Sequence, residues 1–390
     1  MLPRPYPSSF GTISLPWRGS LAPHATLDIL RGCNIACPDC YNAQPPATKS
    51  LAQVLRELDQ LLALRRLQTV TLSGGDPLLH PELPAIIREI HRRNIRVAIL
   101  TNGLLLDAAR AEILRQAGTD AILLHIQQNQ IWSDAPQPSD PDGWRKLRAA
   151  KARLVAKAGM AAGLAHIAAV RTLTEFLDTV EELIDSPHLE FMLVTTHTDF
   201  GRFRQVRGNI HEGLRAVPAT GGSTQTQALS VAAVRHELAC KGMVPFAQVG
   251  SHIDPDRPRW LTYLSATLRS PRGLRHRSVG PGRSDRFFME MMRRIHGRYS
   301  FFYRAGGVRL RLQILFNALS GGGRAADAFS FLAASLAPDR TLAEKHIVFQ
   351  EGPELLPDGT IDFCRDCPDA TLRNSQLVPL CLADRMEARP

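Results

Sequence analysis

Residues 22–200 alternate short apolar segments with segments of helical periodicity. The apolar segments are rich in Ile, Leu and Val and have the length of buried strands. Between them, apolar residues recur every three or four positions, as in helices that bury one face. We predict strands at 26–30, 69–72, 96–100, 121–126, 164–170 and 191–195. We predict helices at 51–67, 82–93, 107–117, 144–157 and 173–183.

Strands that alternate with helices in this way predict an α/β fold whose parallel strands are joined by right-handed crossovers. In barrels of this kind the functional site lies at the carboxyl ends of the strands. The alternation is lost after residue 200, where 216–228 predicts a polar linker or lid and 230–241 predicts a helix. We therefore divide the chain into an N-terminal extension (1–21), a partial barrel (22–200), a variable basic and aromatic region (201–345) and a mixed C-terminal region (346–390).

Composition limits the class of protein. The 390 residues suffice for one large α/β domain with additions, or for two domains. No run of eighteen apolar residues occurs, and the first ten residues lack the apolar core of a signal peptide. The seven cysteines, six of them in metal-like spacing, fit a reducing compartment. We therefore expect a cytoplasmic protein, with the inner face of the membrane as a place of peripheral contact.

Three cysteines follow the first predicted strand closely, as Cys33, Cys37 and Cys40. The spacing C-x3-C-x2-C lets three thiolates hold three irons of a 4Fe-4S cluster and leaves the fourth iron without a protein ligand. Zinc is the competing metal, but zinc motifs usually pair two C-x2-C units or add two histidines. No such partner follows within the next thirty residues, so the spacing favours an open cluster that can bind a small molecule.

This motif, after a strand and before further βα units, resembles the radical S-adenosylmethionine (SAM) superfamily over about residues 22–200. The resemblance implies a partial (βα)6 barrel with the cluster at its top. It implies SAM bound to the open iron by its amino and carboxylate groups, and reductive cleavage of SAM to a 5′-deoxyadenosyl radical. It also implies a reducing partner such as flavodoxin or ferredoxin. It assigns no catalytic side chain.

Gly74-Gly75-Asp76-Pro77 ends the second predicted strand. Superfamily members carry a Gly-Gly-Glu-Pro-like element at this point, whose backbone carbonyls bind the SAM amino group. The resemblance therefore implies that Gly74, Gly75, Asp76 and Pro77 contact SAM, with Asp in place of the usual Glu. Glycine lets a backbone approach a ligand closely, although the same four residues also make a good turn.

Three further residues complete the cofactor site that the resemblance implies. Asn102 ends the third strand, and Gln127 follows the fourth, where His125 shares its face if the strand alternation continues. The superfamily usually carries an aromatic residue before the third cysteine, but Asp39 occupies that position here and the aromatic residue is Tyr41. A plain turn at position 102 and a hydrogen-bonded core histidine at position 125 are the alternatives that the residues leave open.

A second cysteine group lies near the C-terminus, as Cys364, Cys367 and Cys381. A C-x2-C pair with a third cysteine downstream is metal spacing, which either zinc or an iron–sulfur cluster accepts. Radical SAM enzymes commonly hold auxiliary 4Fe-4S clusters in C-terminal extensions. The resemblance thus implies a second cluster that accepts an electron or anchors substrate. The fourth ligand stays open between Cys240, His346, a carboxylate and an open iron.

The positive charge of the chain is concentrated in residues 256–312. This segment contains fourteen Arg, no Lys and three acidic residues, an excess of +11, whereas the whole chain has a net charge of +10. Because aromatic residues lie among the arginines, we expect an anionic partner: a membrane surface, a phosphate-bearing small substrate or nucleic acid. The amphipathic stretches 287–292 and 310–319 place lipid first and nucleic acid last. A solvated Arg-rich face is the alternative.

These features together predict a radical SAM enzyme that abstracts hydrogen from an unactivated carbon of an anionic, lipid- or isoprenoid-like substrate. Two alternatives use the same residues differently. Zinc in both cysteine groups, with nucleic acid at the arginines, would give a zinc-containing nucleic-acid-binding protein. A domain that binds SAM without cleaving it would give a non-catalytic scaffold.

Overall fold

The computed structural model describes residues 11–38, 40–42, 45–132, 135–200, 203, 205–217, 229–301, 307–321 and 325–386. Asp39 and residues 218–228 of the predicted linker lie outside these ranges. The described strands are β1 (Ile13–Ser14), β2 (His24–Leu30), β3 (Ile35–Ala36), β4 (Thr69–Gly74), β5 (Arg96–Thr101), β6 (Thr119–Leu124), β7 (Ile131–Trp132), β8 (Ala161–Ala168), β9 (Leu189–Thr196), β10 (Gln205–Asn209), β11 (Gly213–Val217), β12 (Pro245–Gly250), β13 (Pro258–Ser270), β14 (Gly273–Ser278), β15 (Thr341–Gln350), β16 (Glu354–Leu355), β17 (Thr360–Asp362), β18 (Ala370–Arg373) and β19 (Gln376–Pro379). The described helices are α1 (Leu51–Leu64), α2 (Leu83–Arg92), α3 (Ala108–Ala117), α4 (Pro141–Lys157), α5 (Leu173–Asp185), α6 (Val231–Cys240), α7 (Arg283–His296), α8 (Gly307–Leu319) and α9 (Ala325–Ser335).

Six of these strands form the predicted partial barrel. β2, β4, β5, β6, β8 and β9 lie side by side in this order, and every neighbouring pair is parallel. Helices α1 to α5 connect successive members of the set. The α/β class and the partial (βα)6 barrel are therefore confirmed.

Alternation along the strands separates two apolar layers. Ile99 and Ile122 belong to the large core that also contains Leu58 of α1. Their neighbours Ala98 and Leu123 belong to a small separate cluster on the opposite, concave side of the sheet. The concave layer is thin because several of its members are alanines, which leaves space inside the barrel.

Two element ends differ from the prediction for identifiable reasons. α1 ends at Leu64 rather than at residue 67, because Arg65 is extended (φ −138°, ψ 146°) and its guanidinium donates to the carbonyls of His24 and Cys367. β8 begins at Ala161 rather than at residue 164. Its first three residues are Ala, Ala and Gly, which lack the branched side chains that mark a strand in sequence.

The sheet continues beyond the barrel strands. β15 pairs in parallel with β9, β13 is antiparallel to β15, and β12 is antiparallel to β13. β15 runs across the predicted division between residues 345 and 346. These three strands of the later chain therefore extend the barrel sheet.

The described residues between 283 and 336, which include α7, α8 and α9, form a unit that we call the helical cap. It packs on the extended sheet through a second core cluster. In that cluster, Leu310 and Ile314 of α8 and Phe331 of α9 meet Leu264 and Leu268 of β13. The predicted amphipathic stretch 310–319 thus lies in α8 with one buried side, whereas 287–292 lies in α7, where Asp285 is the only buried residue.

The residues after α7 fix the position of the helical cap relative to the barrel. Arg298 donates hydrogen bonds to the carbonyls of Leu67 (2.7 Å) and Asn94 (2.8 Å), which lie two residues before β4 and β5. Phe301 stacks on His24 at the start of β2, with ring centroids 4.1 Å apart. The helical cap therefore lies toward the amino ends of the barrel strands. Across the part of the chain that the structure describes, no helix is both long and apolar enough to cross a bilayer.

The C-terminal region runs along β2 on the concave side of the sheet. Asp369 pairs with His24 at the amino end of β2, at 3.2 Å. Arg373, at the end of β18, pairs with Asp28 nearer the carboxyl end, at 2.7 Å. β18 and β19 form a tight hairpin between these contacts and the chain end. The tail thus spans most of the length of the first barrel strand.

Asp28 is the centre of a buried ionic network. Its side chain is fully buried, and its carboxylate pairs with Arg31 and Arg373 (2.7 Å each) and with Lys49 (3.2 Å). Asp384 pairs with the same two arginines. Burial alone would raise the pKa of Asp28, but the charges of Arg373, Lys49 and Arg31 outweigh it and lower the pKa to about 2. The network joins the tail to β2 and to the residue that lies two positions before Cys33.

We expect Asp28→Asn to lower the free energy of unfolding by about 3 kcal/mol, because the substitution leaves buried cations without their partner. Since the folded-state pKa lies below the ordinary value of 3.8, the contribution of Asp28 is complete above about pH 4 and is lost as the pH falls toward 2. Urea unfolding at pH 7 and between pH 5 and about pH 3 measures both effects.

Asp59→Asn is the matched control. The Asp59 side chain is 63% exposed and lies 3.5 Å from Arg93, so its loss should change the free energy of unfolding by less than about 0.5 kcal/mol. Equal stability of the Asp28 and Asp59 variants would contradict a structural role for the network.

Candidate active site

The first cysteine group lies on a loop at the carboxyl end of β2. Cys33 follows Leu30 by three residues, and the short strand β3 between Cys33 and Cys37 pairs with β7. A turn in which the Cys40 amide donates to the Cys37 carbonyl (3.2 Å) brings the third thiol back toward the others. Cys33 and Cys40 are exposed, and Cys37 is half-buried. The loop therefore presents its thiols at the end of the barrel where parallel barrels place their chemistry.

The glycine pair at the end of β4 packs directly against the base of this loop. The Gly75 amide donates to the Leu30 carbonyl (2.9 Å), and the Asp76 amide donates to the Gly32 carbonyl (3.0 Å). A methyl group added at Gly74 would lie 2.0 Å from the Leu30 oxygen, and one at Gly75 would lie 1.8 Å from the Gly32 oxygen. The two glycines are thus required by contact with the cysteine loop, whatever ligand they also touch.

The Asp76 side chain is used within the protein. It is 1% exposed, and its carboxylate accepts hydrogen bonds from the Thr101 hydroxyl (2.7 Å) and from the amides of Leu78 and Asn102 (2.9 Å each). Burial raises the pKa of Asp76, and these hydrogen bonds oppose the rise. Asp76 therefore ties the end of β4 to the end of β5. Contact of this motif with SAM stays a prediction, and its backbone carbonyls remain the candidate groups.

Asn102 stands beside the cysteine loop. Its side-chain amide donates to Asn34 (2.8 Å) and lies 3.8 Å from the Cys33 sulfur. Tyr41 lies on the far side of the loop, where its hydroxyl is 2.9 Å from the Ser73 hydroxyl. Both predicted residues are therefore close to the cysteines, although their contact with SAM stays a prediction.

Gln127 is engaged with the neighbouring strand. Its amide accepts from the Ile167 amide (2.8 Å), donates to the Ile167 carbonyl (3.1 Å) and lies 3.0 Å from the ring of His125. The contact agrees with the prediction that His125 and Gln127 share one side of the chain. Because its amide already joins the ends of β6 and β8, Gln127 positions the barrel rim, and a direct role toward SAM stays a prediction.

The chemistry of the first group fits a 4Fe-4S cluster. Desolvation raises the pKa of the Cys33 and Cys40 thiols, and the Cys33 charge adds to the rise at Cys40. Thiolates there need a compensating positive charge, which iron supplies. The sequence of the loop offers three cysteines and no fourth, so Cys33, Cys37 and Cys40 would leave one iron open to SAM.

The second cysteine group lies at the other end of β2. Cys364 and Cys367 are buried and Cys381 is half-buried. Burial raises the pKa of Cys364 and of Cys381 to about 12, and Asp369 adds to the rise at both. Burial, then the charges of Cys364 and Cys381, raise the pKa of Cys367 as well. The fold thus brings Cys381 close to the C-x2-C pair of Cys364 and Cys367, with the carboxylate of Asp369 near all three.

Two buried arginines flank this second group. Arg65 is 1% exposed and donates to the carbonyls of Cys367 and Asp366 (3.0 Å each), on the C-x2-C turn itself. Arg259 is fully buried and pairs with Asp362 at 2.8 Å. Buried cations beside buried thiols are the surroundings that an anionic metal–thiolate cluster requires. The donor set therefore fits a second cluster.

For the predicted carboxylate ligand, Asp369 is the candidate, because its charge raises the pKa of all three cysteines. Cys240 is exposed at the end of α6, 3.9 Å from His236, and His346 pairs with Glu344 in β15. In the described residues, no three His, Cys, Asp or Glu side chains converge on a position for a single metal ion. A cluster makes a different demand, because each thiolate binds its own iron.

The arginines predicted as one anion-binding segment divide into two classes. Arg259 is internal, and Arg257, Arg293 and Arg298 are committed to Glu354, Glu290 and backbone carbonyls. Others are exposed and lie on β14, on α7 or close to them. These are Arg272, Arg275, Arg283, Arg286 and Arg294, of which Arg294 also pairs with Glu290 at 3.2 Å.

A cavity of about 260 Å³ lies on the concave side of the sheet, toward the amino ends of the strands. Ala98, Ala121 and Leu123 of the barrel line it together with Trp260 and Phe301. Sequence reasoning did not find this cavity, nor Arg65 and Asp28, because the partners of these residues come from distant segments. Asp369 differs from them, because it lies two residues after Cys367 and the sequence alone places its carboxylate near the cysteine group.

Comparison with known proteins identifies the domain. Residues 27–130 match the family described as "Radical SAM superfamily". A PqqA peptide cyclase of Granulibacter bethesdensis is 29% identical over 144 residues, 36% of this chain and 38% of the relative. A GTP 3′,8-cyclase of Parasynechococcus marenigrum is 35% identical over 112 residues, 26% of this chain and 32% of the relative. The chain thus spans less than two fifths of the length of either relative.

Among solved structures, Streptococcus suis SuiB bound to its precursor peptide SuiA aligns with 47% of this chain and 41% of SuiB. The TM-score is 0.37 and the sequence identity is 16%. The three-cysteine loop lies within the residues that match this family. Residues 27–130 therefore carry a radical SAM domain, as the sequence predicts.

We expect Gly75→Ala to disturb the cysteine loop, because the added methyl group meets the backbone of Gly32. Urea unfolding of the iron-free protein should show a loss of roughly 2 kcal/mol. After anaerobic reconstitution, iron content should fall by about four per chain. In the control Gly32→Ala, nothing lies within 4 Å of the added methyl group, so the iron-free protein should keep its stability. Wild-type stability and iron content in Gly75→Ala would refute this account of the glycine pair.

Proposed function

We propose that the chain holds a 4Fe-4S cluster through Cys33, Cys37 and Cys40 and reductively cleaves SAM. The observation that carries this proposal is the loop of three thiols at the carboxyl end of β2. The glycine pair at the end of β4 packs against the base of this loop. Held by these three thiolates, the cluster would supply the electron for reductive cleavage of the C5′–S bond of SAM, and so the 5′-deoxyadenosyl radical that abstracts hydrogen from a substrate carbon. Flavodoxin or ferredoxin is the proposed source of the electron.

The residues around the loop orient SAM and limit access of water. The backbone carbonyls of Gly74 and Gly75 are available to the SAM amino group, while the Asp76 side chain keeps β4 and β5 in register. The Asn102 amide holds Asn34 and so fixes the start of the loop. The apolar concave layer of the barrel shields the reacting carbon from solvent.

A second 4Fe-4S cluster on Cys364, Cys367 and Cys381 is part of the proposal. The three grouped thiols and the buried cations Arg65 and Arg259 support it. Asp369 supports the carboxylate option for the fourth ligand, because it lies beside all three cysteines. This cluster would accept an electron from the product radical or hold substrate.

The proposed substrate is anionic with an apolar, lipid- or isoprenoid-like part, and the proposed location is the cytoplasm with peripheral contact at the membrane. The cavity of about 260 Å³ among Trp260, Phe301 and barrel alanines supports the apolar part. The exposed arginines near α7 support the anionic part.

A peptide is the second candidate substrate. Similarity to the PqqA peptide cyclase, and to the subtilosin biosynthesis protein AlbA of Bacillus subtilis (30% identity over 95 residues), favours it. Mass spectrometry of lipids, metabolites and peptides from cells with and without the gene separates the two classes. Loss of a modified peptide, with lipids unchanged, would replace the lipid-like substrate.

Cys37→Ala should abolish formation of 5′-deoxyadenosine from SAM and dithionite under anaerobic conditions, because it removes one corner of the open cluster. The control Cys240→Ala changes an exposed thiol outside both groups and should behave as the wild type. Chromatography of the deoxyadenosine measures both. Undiminished product from Cys37→Ala would end the assignment, and loss of iron in Cys240→Ala would make Cys240 a ligand.

The double change Cys364→Ala and Cys367→Ala should lower iron from about eight to about four per chain, because one of two four-iron clusters is lost. Uncoupled cleavage of SAM should continue, since the first group is intact. Iron and zinc analysis of the reconstituted protein measures the change. Iron content equal to that of the wild type, or stoichiometric zinc in the wild type, would exclude a second iron–sulfur cluster.

A further inference from the structure

The helical cap leaves an extended apolar surface uncovered. Nine of its large apolar side chains are between 38% and 72% exposed. They are Phe287, Phe288, Ile295, Val308, Leu312, Phe316, Leu319, Phe329 and Leu336. The other six exposed large apolar side chains are spread over the rest of the described chain. Single exposed apolar residues are ordinary, but a group of this size marks an interaction surface.

The exposed side chains are continuous across two helices. In α8, Val308, Leu312 and Phe316 follow each other at intervals of four residues and so lie on one side of the helix, whereas Leu310 on the other side is buried. The rings of Phe288 and Phe316 are 5.7 Å apart and join α7 to α8. The surface is therefore one patch rather than separate residues.

Positive charge accompanies the patch. The described residues of the helical cap (283–301, 307–321 and 325–336) contain seven Arg, no Lys and three acidic residues, an excess of +4. Arg283 and Arg286 are exposed on α7, and the Arg294 side chain, which pairs with Glu290, is 75% exposed. Helices that combine Arg on a polar side with Phe, Leu and Ile on an apolar side bind at the interface of anionic bilayers.

The internal cavity reaches the same two helices. Met289 of α7 and Arg309 and Gln313 of α8 are among its lining residues. Arg309 and Gln313 directly follow Val308 and Leu312 of the exposed side in sequence. An apolar cavity next to an apolar, basic surface fits a lipid layer, because acyl chains can cover the surface and also enter the cavity. The surface of a folded protein or a nucleic acid would cover the patch without filling the cavity.

We propose that the helical cap docks on a bilayer that contains anionic phospholipids. The apolar side chains of α7 and α8 enter the boundary between headgroups and acyl chains, and the exposed arginines contact lipid phosphates. A second copy of the chain fits this surface less well, because a two-fold dimer would set the positive patch against itself. The proposal uses no residue of either cysteine group and is independent of the proposed radical chemistry.

The test is sedimentation of the full-length protein with vesicles of phosphatidylcholine, with and without phosphatidylglycerol. The wild type should bind the anionic vesicles, and binding should weaken as salt shortens the range of exposed charges to about 3 Å at 1 M. The triple variant Val308→Gln, Leu312→Gln and Phe316→Gln should bind at least roughly tenfold more weakly, because three anchors are lost. These side chains are exposed, so the variant should fold.

The matched control replaces three apolar residues of similar exposure outside the helical cap, as Ile113→Gln, Val170→Gln and Ile253→Gln, and should bind as the wild type. Cys37→Ala should also bind as the wild type, which separates this proposal from the radical chemistry. Equal binding by the triple variant and the control would overturn the proposal. So would a wild type that ignores vesicles but forms a dimer in light scattering, or binds RNA, through the same three residues.

Discussion

The buried carboxylate of Asp28 is the contact on which the arrangement of the site depends. It lies on the concave side of β2 and pairs with cations from three separate parts of the chain: Arg31 before the cysteine loop, Lys49 before α1, and Arg373 in β18. A buried charge is tolerated only where it is paired and hydrogen-bonded. The carboxylate therefore requires all of these segments to be in place together, so that order in the cysteine loop and order in the tail are coupled.

The same strand sets the relation between the two cysteine groups. The first group follows the carboxyl end of β2, and the second lies beside its amino end, where Asp369 meets His24 and Arg65 holds the C-x2-C turn. β2 has seven residues, and at about 3.3 Å per residue it spans about 20 Å. Two clusters at these positions would lie near opposite ends of β2. A substrate between them could react with SAM at the carboxyl end and pass an electron to the second cluster at the amino end.

Sequence reasoning succeeded where the determinants are local. The alternation of apolar segments is a property of neighbouring residues, and it located all six barrel strands to within a few positions. The cysteine spacing and the Gly-Gly-Asp-Pro element are equally local. The sequence predicts that the glycines allow a ligand to approach the backbone closely. In the structure, the group that approaches Gly75 is the backbone of the cysteine loop itself, 43 residues earlier at Gly32. The Asp28 network joins residues up to 353 positions apart, and no local pattern predicts such a pairing.

The arginines of residues 256–312 show why composition alone does not distinguish buried charged residues from exposed ones. Arg259 and Arg286 belong to the same basic segment, yet Arg259 is fully buried against acidic groups and Arg286 is exposed beside Phe287. Only the fold shows which of these arginines lie on the surface, among them Arg283 and Arg286 of the helical cap, at the amino ends of the barrel strands. The cysteine loop is at the carboxyl ends. If lipid meets the helical cap, an apolar substrate group reaches the loop only along the concave layer, where Ala98 and Ala121 leave space that larger side chains fill in closed barrels. The size of the side chains in that layer then decides how far the group can penetrate.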